Sequence, residues 1–221
     1  MSVHEQLEQA KAGFITKVPE SAQEAIFQHI REQQLSGIEF GLREGGKAPD
    51  FILNNSNGDR VSLHEELAKG PVILTFYRGS WCPFCNIELR GYQQVLPEIQ
   101  QLGAQVIAVS PQGPDKALAQ QEKEMLCFPV LSDSNGLVSE QYRLLFELPD
   151  YLRDTFINTL RLDLAAFNHS YRWALPIPAT YLIDTKGIVR HAYVSPDFMA
   201  RMEPLEMIAR LKQLNATTVA E

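Results

Sequence analysis

Residues 72–85 read Val72-Ile73-Leu74-Thr75-Phe76-Tyr77-Arg78-Gly79-Ser80-Trp81-Cys82-Pro83-Phe84-Cys85. The first six form a continuous apolar run, which is typical of a central strand buried on both faces. Pro83 suits the first turn of a helix, because its missing N–H costs little there. The stretch therefore predicts a buried strand, a short loop and a helix from about Pro83 to Gln101.

The two cysteines lie where the predicted loop meets the predicted helix. The pKa of a thiol falls at a helix N-terminus, because free backbone N–H groups and the helix dipole stabilise the thiolate. A second cysteine one turn later can attack a mixed disulfide or a sulfenic acid. Helical periodicity places Cys85 on the apolar face with Leu89 and Tyr92. We therefore expect Cys82 to be the more exposed thiol and the nucleophile, and Cys85 to be the resolving thiol.

The alternative for this pair is a structural zinc site. Tetrahedral zinc normally needs four protein ligands. Only Cys127 and five histidines remain in the chain, and none of them forms a second closely spaced pair. The pattern favours redox chemistry over zinc or a purely structural role, and it predicts no metal and no other cofactor. We expect Cys127 itself to be a small, buried apolar residue.

Composition narrows the class of protein. The chain has 221 residues, enough for one large domain with an appendage, and its net charge is 20 − 27 = −7. The absence of a basic run argues against nucleic-acid binding. No apolar stretch approaches the roughly 18 residues that would span a membrane. The first residues lack the pattern of a secretion signal, and three cysteines fit a reducing compartment, so we expect a cytoplasmic protein.

The remaining chain alternates strands and helices. Residues 1–40 read as helix, with a capping box at Ser21–Glu24, and Asn57-Gly58 predicts a hairpin turn. Residues 136–175 read as an inserted helical segment. Further strands are predicted at residues 105–109, 128–131, 179–184 and 188–194, and further helices at 114–126 and 202–214. This pattern indicates α/β architecture with a mixed sheet. We divide the chain into a helical N-terminal extension, residues 1–40, and a domain of residues 41–221.

Three stretches carry a resemblance to the peroxiredoxin branch of the thioredoxin superfamily, the alkyl hydroperoxide reductase and thiol-specific antioxidant family. They are Gly46-Lys47-Ala48-Pro49-Asp50-Phe51, the segment 77–88 beginning Tyr77-Arg78-Gly79-Ser80-Trp81-Cys82-Pro83-Phe84-Cys85, and Pro178-Ala179-Thr180-Tyr181-Leu182-Ile183-Asp184. The resemblance implies a thioredoxin-like fold for residues 41–221. It also implies reduction of hydroperoxides by a cysteine that becomes a sulfenic acid, with electrons from thioredoxin or a similar dithiol.

The chain departs from this family at its centre. Typical members carry Pro-x-x-x-Thr/Ser-x-x-Cys with a Glu three residues later. If Cys85 takes the place of their peroxidatic cysteine, Glu88 matches, but Arg78 replaces the Pro and Cys82 replaces the Thr. The family's downstream arginine falls near Pro178. The thioredoxin pattern favours Cys82 as nucleophile and the peroxiredoxin pattern favours Cys85, so the assignment stays open.

Several residues are candidates to support the dithiol. Arg78 and Arg90 could supply positive charge, and the resemblance implies that Trp81 shields the thiols. Pro178 resembles the cis-proline that lies beside the dithiol in thioredoxins, and a Pro-Ala-Thr sequence before a strand favours that interpretation. Thr180, in the third stretch that carries the resemblance, is a further candidate to support the dithiol.

Three functions remain open at this point. The first is a thiol peroxidase acting on hydrogen peroxide or organic hydroperoxides, and the second is a disulfide reductase without notable peroxidase activity. The third is a non-catalytic domain that holds a metal or a partner. We expect no nucleic-acid or membrane partner, while a homodimer is allowed. The polar-aromatic residues 168–173 could cover the site or form a dimer contact.

Overall fold

A mixed seven-stranded sheet forms the centre of the structure, a computed structural model that describes residues 1–218. Its strand order is β2-β1-β5-β4-β3-β8-β9. The strands are β1 (Ile52–Asn55), β2 (Arg60–Ser62), β3 (Val72–Phe76), β4 (Gln105–Ser110), β5 (Val130–Ser132), β8 (Ala179–Ile183) and β9 (Val189–Val194). The three central strands β3, β4 and β5 are parallel, and the outer pairs are antiparallel. The predicted α/β fold of thioredoxin-like type is confirmed.

Strand β3 is buried along its whole length and lies between β4 and β8. Its last residues pair with the first residues of β8, Thr75 with Thr180 and Phe76 with Ala179. Such a strand has apolar neighbours on both faces, which explains its continuous apolar sequence. The pairing brings the loop after β3 next to the start of β8, although they are a hundred residues apart in the chain.

Helix α4 (Pro83–Gln101) begins and ends where the sequence predicts. Cys82 is its N-cap residue, with extended backbone, and Pro83 occupies the first turn. Leu89 and Tyr92 belong to a face that is buried against the sheet, since both are fully inaccessible to solvent. The helix start is therefore anchored by its apolar face, and this fixes where the two cysteines point.

Two helices form the N-terminal extension, α1 (Val3–Lys17) and α2 (Glu20–Leu35). The capping box predicted at Ser21 is wrong: α2 begins two residues earlier, at Glu20 after Pro19, without a side-chain cap. A capping box is found instead at the start of α1, between Ser2 and Glu5. Helix α1 packs closely on α4, because a Cβ atom at Gly91 would come within 2.4 Å of Val3. The division of the chain near residue 40 remains a prediction.

The segment 136–175 contains three short helices and two strands. They are α6 (Leu137–Gln141), β6 (Leu145–Glu147), α7 (Asp150–Asp154), which continues as a π-helical turn (Thr155–Thr159), α8 (Leu164–Asn168) and β7 (Ala174–Pro176). Strands β6 and β7 pair as a separate antiparallel sheet. The prediction of a helical insertion was incomplete here, because three-residue strands are too short to show a period of two.

The other helices flank the main sheet. They are α3 (Leu63–Leu67), α5 (Pro114–Lys123) and α9 (Pro204–Thr218). Helix α9 starts two residues later than predicted and extends further, and residues 219–221 of the predicted domain lie outside the described residues. Across residues 1–218, no helix combines the length and apolar character needed to cross a bilayer.

Candidate active site

Cys82 and Cys85 lie together at the start of α4, and both are free thiols. Only 1% of Cys82 and none of Cys85 is accessible to solvent. Cys82 is thus the more accessible of the two thiols, as expected, but both are buried. Residues of α1 and of the π-helical turn surround the space in front of it, and these distant segments bury a position that helix geometry alone would leave open.

The two thiols have opposite pKa shifts. Burial by itself raises the pKa of Cys82, but a hydrogen bond from Cys85 and the charges of Arg78 and Arg201 outweigh burial and lower it to about 6. Burial, followed by the neighbouring Cys82, raises the pKa of Cys85 well above its usual value. Near neutral pH the arrangement therefore favours a thiolate at Cys82 and a protonated thiol at Cys85.

Arg78 is buried in the loop after β3, with 6% of its surface accessible. Its guanidinium carbon lies 3.8 Å from the centre of the Phe198 ring, 4.7 Å from Trp81 and 6.0 Å from Phe156. It forms no ion pair with a carboxylate within residues 1–218. Burial lowers its pKa, whereas the two cysteines raise it. The cation is thus held by aromatic rings and lowers the pKa of the neighbouring Cys82 thiol, because charges interact strongly where they are shielded from bulk water.

Trp81 forms part of the wall beside the thiols. Its ring meets Phe156 edge-on, with 5.5 Å between the ring centres. Gly79 has a φ of 147°, and a Cβ atom there would lie 2.5 Å from Trp81 Nε1. Glycine is therefore needed at this position both for the backbone conformation and for the close approach of the indole ring.

Glu88 and Arg201 form a buried ion pair directly behind Cys85. Arg201 Nε lies 2.8 Å from Glu88 Oε2, and its Nη2 lies 3.5 Å from Cys85 Sγ. It also donates to the carbonyl oxygens of Phe198 and Ala200. Burial raises the pKa of Glu88 to about 7, because it outweighs the opposing charge of Arg201. The sequence interpretation missed Arg201, which follows β9 in an irregular segment 113 residues from Glu88.

Thr180 lies at this ion pair, as the start of β8 brings it beside α4. Its hydroxyl oxygen is 3.2 Å from Glu88 Oε1 and 3.0 Å from the hydroxyl of Thr75, its partner across the strands. Five of the residues selected from the sequence thus meet around one point: Arg78, Cys82, Cys85, Glu88 and Thr180.

Pro178 is buried just before β8, but the bond that precedes it is trans, as are all peptide bonds in residues 1–218. The expected likeness to a cis-proline was therefore wrong. The Ile177 N–H donates to the carbonyl of Leu144, and the Pro178 carbonyl accepts from Ser195. These bonds carry the chain in extended form from β7 into β8.

A ring of buried and partly buried hydrogen bonds holds the loop that precedes Cys82. Gln112 Oε1 accepts from the Ser80 N–H, and Gln112 Nε2 donates to the Tyr77 hydroxyl. Tyr77 donates to Gln120, Gln120 donates to Asn86, and Asn86 donates to the Ser80 carbonyl. Each link is between 2.7 and 3.0 Å long, so the loop is fixed to β3, α4 and α5 at once.

Other sequence candidates lie away from the dithiol. Arg90 pairs with Glu124 at 2.7 Å on the surface of α4. Cys127 is exposed, which contradicts the expected burial, because it follows Met125, a residue with left-handed backbone at the end of the α5 region. Tyr171, in the stretch 168–173, is fully exposed. No cluster of three or more possible metal ligands occurs in the part of the chain that the structure covers.

A pocket of about 570 Å³ opens in front of Cys82. Its walls come from α1, from the π-helical turn and the residues after it, and from Trp81, Phe84 and Phe198. The charged residues that line it are all cations, namely Lys17, Arg78 and Arg161. Cys85 is not among its lining residues. The pocket therefore gives access to Cys82 and offers an apolar surface with positive charge around it.

Comparison with known proteins agrees with this geometry. The model of the AhpC/TSA family matches residues 45–192. Peroxiredoxin Bcp of Escherichia coli K12 is 26% identical over 152 residues, covering 69% of this chain and 85% of Bcp. The thioredoxin-like protein YneN of Bacillus subtilis is 27% identical over 171 residues, covering 77% and 83%.

A solved structure shows the same fold. Peroxidoxin BcpB from Mycobacterium tuberculosis aligns with a TM-score of 0.61 at 22% identity, over 79% of this chain and 98% of that one. The family match covers more than half of the chain, and the sheet, the helices and the buried cysteines agree with it. This protein therefore belongs to the AhpC/TSA family and is an oxidoreductase of the peroxiredoxin type.

Proposed function

We propose that the protein reduces hydroperoxides through the dithiol of Cys82 and Cys85, with Cys82 as the nucleophile. The Cys82 thiolate attacks the outer oxygen of the hydroperoxide, the O–O bond breaks, and the alcohol or water leaves after taking up a proton. Cys82 is then a sulfenic acid. The Cys85 sulfur attacks it, water leaves, and a Cys82–Cys85 disulfide remains. The peroxide gains two electrons and the dithiol loses two.

One observation carries the choice of Cys82. Cys82 lines the pocket while Cys85 does not, so an incoming peroxide meets Cys82 first. The lowered pKa of Cys82 supports the same assignment, because the thiolate is the reactive form. The size and apolar walls of the pocket suit organic hydroperoxides as well as hydrogen peroxide.

Arg201 and Glu88 serve the second step. Arg201 contacts the Cys85 sulfur and can stabilise negative charge on it as it attacks. Glu88, with a pKa near 7 and a hydrogen bond to the same arginine, is suited to accept the proton that Cys85 loses. Arg78 and Trp81 act at the first step, by holding the thiolate and excluding water.

A dithiol donor, for which a thioredoxin-type protein is the candidate that the resemblance implied, then reduces the disulfide. We place this cycle in the cytoplasm, where reducing conditions would keep the three free cysteines as thiols. A homodimer is the assembly that the resemblance allows, and light scattering of the purified protein tests it.

The proposal is tested with the variants Cys82→Ser and Cys85→Ser. After treatment with one equivalent of peroxide, mass spectrometry with a sulfenic-acid trap should find the adduct on Cys82 in Cys85→Ser and no adduct on Cys85 in Cys82→Ser. The wild type should form an intramolecular disulfide. A trapped sulfenic acid on Cys85 alone would reverse the assignment of the two roles, and peroxide loss no faster than with free cysteine would remove the peroxidase function.

The second candidate function is disulfide reduction without notable peroxidase activity. It is favoured by the position of the dithiol at a helix start and by the similarity to a thioredoxin-like protein, while the trans bond before Pro178 removes the support expected from that residue. This function would be supported instead if the wild type reduces insulin and a separate assay finds no peroxide consumption.

A further inference from the structure

A small cavity of about 20 Å³ lies between α2 and the loop that carries Arg78. It is separate from the large pocket, but Arg78, Ile26, Phe156 and Phe198 line both. Its volume is enough for a water molecule. His29 and Gln33 of α2 also line it, and each has a buried nitrogen atom without a hydrogen-bond partner in the protein.

The surroundings of His29 define what its ring can bind. Its Nδ1 lies 3.5 Å from the Tyr151 hydroxyl oxygen, and Tyr151 donates its own proton to Glu32 at 2.5 Å. The tyrosine oxygen can therefore only accept from His29, so Nδ1 carries the proton and Nε2 is left as an acceptor. Burial is the main cause that lowers the pKa of His29, and the charge of Arg78 adds to it against the opposing charge of Glu32, so the neutral ring is favoured.

Gln33 and Arg78 supply hydrogen-bond donors, whereas His29 Nε2 is an acceptor. Gln33 is 8% exposed, and its unpartnered Nε2 is a donor. Arg78 has five N–H donors, aromatic rings lie against its guanidinium, and the negative charge that acts on it most strongly is that of Cys82. A molecule bound here must accept from Gln33 Nε2 and donate to His29 Nε2, and it can also accept from Arg78, which lines the same cavity. Water has this combination and the matching size, and a buried polar group without such a partner would be costly.

We propose that His29, Gln33 and Arg78 bind one water molecule, and that through it α2 positions the Arg78 guanidinium beside Cys82. The water accepts from Gln33 Nε2 and Arg78 and donates to His29 Nε2. His29 and Gln33 are positioning residues, since they act on Cys82 only through Arg78. Both lie outside the residues 45–192 that match the family, so the N-terminal extension contributes to the reactive centre.

This inference rests on the proposed function only in taking Cys82 as the reactive thiol. The other ionisable groups near His29 are Glu32 of α2, Tyr151 of α7 and Arg78 itself. Glu32 is exposed and its pKa is lowered by its hydrogen bonds, first from Tyr151, so its charge stays constant over the pH range of the test.

The test uses Gln33→Leu and His29→Phe, with Gln34→Leu as control. Gln34 is the neighbouring residue on the same helix and is exposed.

The Cys82 thiolate is titrated by its ultraviolet absorbance in a Cys85→Ser, Cys127→Ser background. Peroxide kinetics are measured in proteins that keep both Cys85 and Cys127. Both cavity variants should titrate at higher pH than the wild type. Their kcat/KM for hydrogen peroxide should fall about three- to tenfold at pH 6 and less than twofold at pH 8.5, as expected for a smaller thiolate fraction.

An equal loss of activity at both pH values, or an unchanged thiolate midpoint in both variants, would overturn the proposal. So would a crystal structure of the wild type with ordered solvent elsewhere but no water within hydrogen-bond distance of His29 Nε2 and Gln33 Nε2. His29→Phe keeps the ring that packs on Phe146, so it remains informative if Gln33→Leu folds poorly. A shifted titration in a protein without peroxidase activity would support the water site and reject only the proposed function.

Discussion

The guanidinium carbon of Arg78 lies 3.8 Å from the centre of the Phe198 ring, and Arg201, three residues after Phe198, contacts Cys85. The short segment between β9 and α9 thus covers one arginine with an aromatic ring and supplies the other. Both cations lower the pKa of the same pair of thiols. The charge of the dithiol is therefore controlled by a part of the chain more than a hundred residues away.

Replacing Arg78 by methionine should raise the pKa of Cys82, since the nearest cation without a carboxylate partner is lost. We expect kcat/KM for hydrogen peroxide to fall about tenfold at pH 7 and to recover as the pH approaches 9, because a rise of about two pKa units from about 6 lowers the thiolate fraction at pH 7 roughly tenfold. Arg90→Met is the matched control, because Arg90 pairs with Glu124 instead. An equal effect of both variants would show that net charge, rather than the position of Arg78, matters.

Replacing Arg201 by methionine should destabilise the fold, because it leaves the carboxylate of Glu88 buried without its partner. Removing one partner of a buried ion pair costs about 3–5 kcal/mol. The double variant Arg201→Met, Glu88→Gln should recover part of this loss, since the glutamine amide carries no charge. Urea denaturation at pH 8, where Glu88 is ionised in the wild type, measures both. A double variant less stable than the single one contradicts the expectation.

The lowered pKa of Cys82 predicts how stability depends on pH. Since the pKa in the folded protein, about 6, lies below the ordinary thiol value of 9.0, the folded state binds this proton less tightly than the unfolded chain. The stabilisation is complete above pH 9 and is lost as the pH falls through about 6. The difference in unfolding free energy between wild type and Cys82→Ser should therefore shrink from pH 9 to pH 5. A constant difference would show that Cys82 is not a thiolate in the folded protein.

Gly13 of α1 offers a way to narrow the pocket in front of Cys82. It lines the pocket, and a Cβ atom there would meet nothing within 4 Å, so a larger side chain fits without backbone strain. Gly13→Phe should lower kcat/KM for cumene hydroperoxide by roughly tenfold and change that for hydrogen peroxide less than twofold. Gly13→Ala, which stabilises the helix but adds little volume, is the control. Equal effects on both peroxides would mean that bulky substrates do not use this pocket.

Local sequence patterns were sufficient for the elements that carry the dithiol. The bounds of α4 were predicted to the residue, because Pro83 and the spacing of Leu89 and Tyr92 are signals within a few turns. Glu88 and Thr180 were selected through the family resemblance, and strand pairing brings them within hydrogen-bond distance of each other.

The features that the sequence did not predict depend mostly on contacts between segments that are distant in the chain. Cys82 is buried because α1 and the π-helical turn pack in front of it, and no pattern near Cys82 reports this. Arg201 lies in an irregular segment without periodicity, so only the folded chain shows that it pairs with Glu88. The strands β6 and β7 pair across nearly thirty residues with three residues each, and Cys127 is exposed by a local left-handed turn.

The ring of hydrogen bonds from Ser80 through Gln112, Tyr77 and Gln120 to Asn86 fastens both ends of the cysteine loop to the surrounding elements. In the proposed cycle, Cys85, one helical turn away in the first turn of α4, is the neighbour that attacks the oxidised Cys82. The sulfenic acid should be short-lived for this reason, and excess peroxide would have little time to drive it to the irreversible sulfinic form. An enzyme built in this way would survive an oxidant burst, and its throughput would be limited by the supply of electrons.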